Sequence, residues 1–106
     1  MTILRSMTTI QAIEAIGIDP KIRSGRPYLV GTTVTVADVA MARLYHGLDA
    51  EGIADWYGLN LPQTYAALAY YYDHKLETDD QVRSQIRRAE ALKEQRVGAA
   101  HSLLSR

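Results

Sequence analysis

Between Thr35 and Asp73 three apolar stripes at helical spacing follow one another with only short breaks, and each carries its own start signal. Helices linked this closely must pack against each other, because no linker is long enough to carry one away from the next. Thr35 with Asp38 has the spacing of a capping box, and Val36, Val39, Ala40 and Leu44 then continue one face until Gly47, which predicts a helix over 36–46. Asp49 caps a second, two-turn helix with Ile53, Trp56 and Tyr57 on one side and Gly58 as its exit. Asn60 with Gln63 repeats the cap spacing, Pro62 occupies the first turn, and Leu61, Thr64, Leu68, Tyr71 and Tyr72 carry a third helix to about Asp73. Trp56, Leu44, Leu68 and Tyr71 are the expected core. A short middle helix followed by a glycine turn is the pattern of a helix-turn-helix, and a plain three-helix bundle gives the same periodicities.

The flanks are less regular. Thr8 with Gln11, the stripe Ile10, Ile13 and Ile16, and Gly17 as a left-handed stop predict a short opening helix. From Asp19 to Thr35 the breakers Pro20, Gly25, Pro27 and Gly31 surround Tyr28-Leu29-Val30 and the alternating run Thr32 to Val36, which predicts two short strands or an extended arm. So little sheet is marginal alone, so the strands are expected to pair with a second copy, making a homodimer, or to lie on the helices. A last helix is expected from Gln81, with Val82, Ile86, Ala89 and then Leu92 or Lys93 inward and a frayed end from Gly98. With 106 residues there is room for one small core, and we divide the chain into a helical domain with its arm over 1–78 and a C-terminal helix with its tail over 79–106.

Chemistry is sparsely signalled. Twelve Lys and Arg balance twelve Asp and Glu, so no net field draws in nucleic acid or an anionic membrane. The absence of cysteine excludes a disulfide framework and thiolate chemistry and fits a reducing compartment; with an apolar run of only eight residues, Tyr65 to Tyr72, the expectation is a cytoplasmic protein that does not enter membranes. Gly25 and Gly31-Thr32 do not make a phosphate loop, since no lysine precedes the threonine. His46, His74 and His101 have no ligand spacing, the acidic run Asp73 to Asp80 lacks calcium-loop register, and no serine has a base partner. No cofactor and no enzymatic activity are expected.

For DNA, the outward face of the third helix would present Gln63, Ala66, Tyr70 and Asp73, with Lys75, Arg43 and the arm residues Arg23 and Arg26 as nearby cations. Binding through so few charges should be weak. The Tyr70-Tyr71-Tyr72 triplet serves either core and interface or base stacking. On the last helix Arg83, Arg87 and Arg88 form a basic side followed by Glu90 and Glu94, which makes either a solvated face or an adhesive element in which Val82, Ile86, Arg83 and Arg87 meet a partner.

The run Gly25-Arg26-Pro27-Tyr28-Leu29-Val30-Gly31-Thr32, followed by Val34-Thr35-Val36-Ala37-Asp38-Val39, resembles the signature G-x-P-x-I-x-G-T-R-I-T-V-x-D-I of the bacterial family called domain of unknown function 433. Glu51 to Tyr57 is similar to its E-E-I-x-x-x-Y helix, and Ala66 to His74 to its A-A-L-A-Y helix, so that the resemblance spans Asp19 to Glu77. Thr33 stands where the family usually has arginine, and Gly52 replaces a usual glutamate. The resemblance implies a mainly α, homeodomain-like three-helix helix-turn-helix with a small N-terminal β element, to which this chain adds a C-terminal helix. It also implies membership of a group often treated as antitoxins, encoded beside a PIN-like ribonuclease toxin. Two functions are therefore expected: a dimeric antitoxin that binds operator DNA weakly and its toxin through the last helix, or a homo-oligomeric interaction module that has lost DNA binding.

Overall fold

The computed structural model describes residues 8–104 apart from 10 and 12, with side chains as far as 98. Four helices and one two-stranded sheet are formed by the described residues: β1 (Ile16–Gly17), β2 (Tyr28–Leu29), α1 (Val36–Tyr45), α2 (Ala50–Tyr57), α3 (Leu61–Asp73) and α4 (Lys75–Leu104). The protein is mainly α, with a small antiparallel β element ahead of its helices.

The start signals work as their chemistry requires. Thr35 Oγ1 accepts from Asp38 N at 3.0 Å while Asp38 Oδ2 accepts from Thr35 N at 3.0 Å, so two otherwise orphan donors of α1 are paired. Asp49 Oδ1 accepts from Gly52 N at 2.8 Å to open α2. Asn60 and Gln63 close a second reciprocal box at 2.8 and 2.9 Å, with Pro62 in the first turn of α3. Gly58 ends α2 at φ 68°, a conformation that a Cβ would strain, and its N–H returns to Ala54 O.

The amino-terminal segment departs from expectation. Its described residues before Ile16 form no helix; Ile10, part of the stripe that suggested one, lies outside the described residues. Instead Ile16–Gly17 pairs with β2 in antiparallel register, Ile16 opposite Leu29 and Gly17 opposite Tyr28. Gly17 is there for room: a Cβ would come within 3.1 Å of Val30 Cγ2 and 3.4 Å of the Tyr28 ring. Tyr28 also bridges to Thr35, and the loop between them is tied by Leu29 N to Val34 O at 2.8 Å and Thr32 N to Leu29 O at 3.0 Å. The β element thus finds its partners within the chain, which removes the ground on which a dimer through a swapped arm was expected.

Helix α1 is the centre of the fold. It touches α2, α3 and α4, and its alanines and valines, Val36, Ala37, Val39, Ala40 and Ala42, are all buried. Small side chains on every face let three helices approach one axis. Leu29, Ile53, Leu59, Ala67, Tyr71 and Val82 complete the core. Two residues expected there are elsewhere: Trp56 is 70% exposed, and Leu44, in the last turn of α1, is also exposed. On α2 the inner face runs through Ala50, Ile53, Ala54 and Tyr57, and at 3.6 residues per turn Trp56 lies about 100° from its centre. Tyr57 takes the inward place and donates its hydroxyl to Asp38 O at 3.3 Å, while burial, and then the Asp38 charge, raise its pKa.

Helix α4 starts six residues before the expected Gln81, directly after His74, whose N–H bonds Tyr70 O and Tyr71 O to close α3. Thr78 and Val82 are buried and Ile86 packs against the core, so the first part of α4 is built into the helical domain rather than separable from it near residue 79. From Arg87 to Gly98 every side chain is exposed.

Candidate functional site

Three surfaces gather the residues that carried the sequence expectations. The first is the outward face of α3. Leu61, Tyr65, Ala69 and Tyr72 follow one another at i, i+4, i+8 and i+11, and Tyr65 and Tyr72 are each 58% exposed. Between this face and α1 lies a groove of about 470 Å³ lined by Arg43, Asp49, Ala50, Tyr65, Leu68, Ala69 and Tyr72. Arg43 is the cation here and Asp49 the carboxylate, and the other lining residues are apolar or aromatic. Gln63, the expected base-reading amide, spends its Oε1 on the α3 cap and keeps only its N–H₂ group for a ligand. Trp56 adds a further exposed ring on α2, stacked on His46 with centroids 6.3 Å apart.

Tyr70 does not stand on the same surface as Tyr65 and Tyr72. Its ring stacks on His74 at 3.9 Å between centroids, and it lines a second hollow with Ile13, Ile16, Ala66, Ala69 and Asp73. Burial, then the Glu77 and Asp73 carboxylates, raise its pKa. The triplet is therefore divided three ways: Tyr70 at the β1 side, Tyr71 in the core, Tyr72 in the groove. Tyr71 donates its hydroxyl to Asp79 Oδ1 at 2.8 Å, which lowers the Asp79 pKa with help from Lys75, while burial and this bond raise that of Tyr71. Lys75 Nζ lies 3.0 Å from Asp79 Oδ2 and above the Tyr71 ring, so this expected phosphate ligand is engaged inside its own helix.

The second surface is basic. A hollow of about 390 Å³ is lined by Lys21, Arg23, Ser24, Arg26 and Arg88. It brings the expected pair Arg23 and Arg26 together with two cations not singled out for that role, Lys21 from the arm and Arg88 from α4. Arg23 donates to Thr33 O at 2.8 Å and to Asp38 Oδ2 at 2.9 Å. Gln85 of α4 donates to Asp38 Oδ1 at 3.1 Å and accepts from Arg26 at 3.3 Å. Asp38 thereby joins the arm, α1 and α4, a role that its capping-box spacing did not reveal and that only long-range packing creates. Arg23 and Ser24 hold positive φ values of 48° and 59°, which for non-glycine residues costs about 1–2 kcal/mol each and persists only where the surroundings impose it.

The third surface is the free part of α4. Val82, expected to meet a partner, is in the core at 2% exposure, and Ile86 packs beside it. Arg83 pairs with Asp80 one turn back, and Arg87 is exposed at the point where α4 leaves the helical domain. A partner would find Arg87 and the residues beyond it, among them Leu92 and Val97.

Among the described residues no group of three His, Asp or Glu could hold a metal ion; Asp79 is engaged by Tyr71 and Lys75, and Asp80 by Arg83. No described helix is long and apolar enough to cross a membrane.

No curated protein and no solved structure matches this chain. A family model described as protein of unknown function (DUF433) matches residues 16–71, a span that opens on β1, takes in β2, α1 and α2, and stops at the buried Tyr71 of α3. That span is more than half of the sequence and contains every core residue except Val82, and the chain therefore belongs to the DUF433 family.

Proposed function

We propose that this chain is a non-enzymatic bacterial helix-turn-helix protein, the antitoxin of a toxin–antitoxin pair, which acts as a dimer, binds operator DNA weakly, and holds a PIN-like ribonuclease toxin through α4. The observation that carries this reading is the twelve-residue stretch of α4 from Arg87 to Gly98, helical and exposed on all sides. A helix of that length is marginal in water when nothing covers it, and its sequence alternates Leu92 and Val97 with Arg, Lys and Glu as a partner groove would require. Helices α2 and α3, joined across Gly58 to Asn60, supply the helix-turn-helix. DNA affinity is weak in this reading because the chain has no net charge and α3 shows one amide and mostly apolar side chains outward.

The test is co-expression with the product of the neighbouring gene. The full chain should co-purify with a small nuclease and suppress its activity, and a chain ending at Ala89 should fold and fail to do either. Co-purification undiminished by that truncation would refute α4 as the toxin-holding element.

A second reading, the homo-oligomeric interaction module without DNA binding, is favoured by the aromatic groove of α3, whose Tyr65 and Tyr72 suit a protein surface better than a phosphate backbone. The two readings separate on the protein's own promoter fragment at low salt: retardation supports the first, and none at any concentration below about 10 µM supports the second.

A further inference from the structure

We infer that the hollow formed by Lys21, Arg23, Ser24, Arg26 and Arg88 is a binding site for a phosphate group. The chain as a whole is neutral, twelve cations against twelve carboxylates, yet four of those cations face one another here. Among the described residues Asp38 is the carboxylate paired with one of these four side chains, and its two oxygens are already taken by Arg23, Thr35 N and Gln85, while Asp19 spends one oxygen on the Lys21 backbone N–H. Gln85 stands between Asp38 and Arg26, accepting from the guanidinium and donating to the carboxylate, so Arg26 meets an amide rather than a counter-charge. Among the described residues no carboxylate lies within ion-pair distance of Lys21, Arg26 or Arg88.

Burial, followed by repulsion from Arg88 and Arg23, holds the Arg26 guanidinium below its usual pKa, and Asp38 offsets this only in part. Two guanidiniums that offer planar forks, an ammonium and a serine hydroxyl around one hollow match the oxygens of a phosphate, whose charge would relieve the repulsion. The strained left-handed backbone at Arg23 and Ser24, anchored by the Arg23 bonds to Thr33 O and Asp38, fixes one wall of the hollow before any ligand arrives. Arg88 completes the wall from α4, so the site exists only because that helix packs back on the arm.

The phosphate has two sources: a free phosphate or pyrophosphate, or a phosphodiester of the operator backbone. The second rests on the DNA-binding part of the proposed function; the first does not. The experiment titrates wild type, Arg88→Gln, Arg88→Lys and the double variant Lys21→Gln/Arg88→Gln with pyrophosphate by calorimetry and with a promoter duplex by fluorescence anisotropy at two salt concentrations. Thermal melts show that each variant is folded, which is expected because Arg88 is exposed and forms no ion pair among the described residues.

Arg88→Gln should weaken pyrophosphate binding by roughly tenfold, the double variant by more, and Arg88→Lys should restore most of it. If the duplex binds, the same variants should weaken it, and its salt slope should fall by about one for each phosphate-binding cation removed. Pyrophosphate bound by wild type and released on mutation, with no duplex binding, supports the site with a free phosphate as its source and overturns the DNA-binding reading instead. Pyrophosphate bound equally by all four proteins, or not bound by wild type while duplex binding is absent or unaffected by mutation, overturns the site.

Discussion

Replacing Asp38 by alanine tests whether one carboxylate holds the arm, α1 and α4 together. The side chain accepts from Thr35 N at 3.0 Å, Arg23 Nη1 at 2.9 Å and Gln85 Nε2 at 3.1 Å. Loss of the cap leaves the buried Thr35 N–H without a partner, at about 1–2 kcal/mol. The Arg23 pair is worth less than a buried one, since the arginine side chain is 38% exposed and keeps Thr33 O; about 0.5–1 kcal/mol is its share. Gln85 loses one neutral-to-charged bond near the surface, about 1 kcal/mol. The total is about 3 kcal/mol, which for a domain of this size lowers Tm by roughly 12–20 °C.

Asp38→Asn keeps an acceptor for Thr35 N and should cost about half as much, because it removes the charge and not the cap. The assay is thermal unfolding by circular dichroism with calorimetry, together with a double-mutant cycle of Asp38→Ala and Arg23→Gln. The cycle should return a coupling of about 0.5–1 kcal/mol. An Asp38→Ala cost below about 1 kcal/mol, or additivity in the cycle, would refute the hub.

The two halves of α4 should separate cleanly. Truncation after Asp80 removes Val82, Gln85 and Ile86, about 3–5 kcal/mol of burial and bonding, and should abolish the cooperative melt; truncation after Ala89 should leave Tm within about 3 °C. Because Asp79 has a lowered pKa, its contribution is present above about pH 4, its unfolded value, and is lost as pH falls through the lower folded value; Asp79→Asn should flatten the acid limb of stability against pH. Tyr71, with its pKa raised, acts at the other end: its contribution is complete below about pH 10 and declines as pH rises through the folded value, which ultraviolet titration of the tyrosines alongside unfolding would record. Light scattering at micromolar concentration should find a dimer, and Tyr72→Glu in the α3 groove should shift it to monomer; a monomeric wild type would remove that groove as a homotypic surface.

What the sequence determined by itself is whatever a few neighbouring residues decide. The capping boxes at Thr35–Asp38 and Asn60–Gln63, the Asp49 cap and the left-handed exit at Gly58 are bonds across three or four residues, and they set the bounds of α1, α2 and α3 without help from the rest of the chain. The family match, over residues 16–71, takes in α1, α2 and most of α3. The tertiary structure decided everything that depends on a distant neighbour. Ile16–Gly17 could be read as the end of a helix until β2 came to lie beside it, since a two-residue strand has no periodicity of its own. Trp56 and Tyr57 both fit an apolar face, and the position of α1 chose Tyr57. Val82 looked like a sparse adhesive stripe because the surface covering it, α1 and α3, is contributed by residues at least nine positions earlier in the chain. The four cations of the basic hollow are spread from Lys21 to Arg88, and no spacing rule joins them. Only the return of α4 across the arm, with Gln85 bridging Asp38 and Arg26, makes them one site.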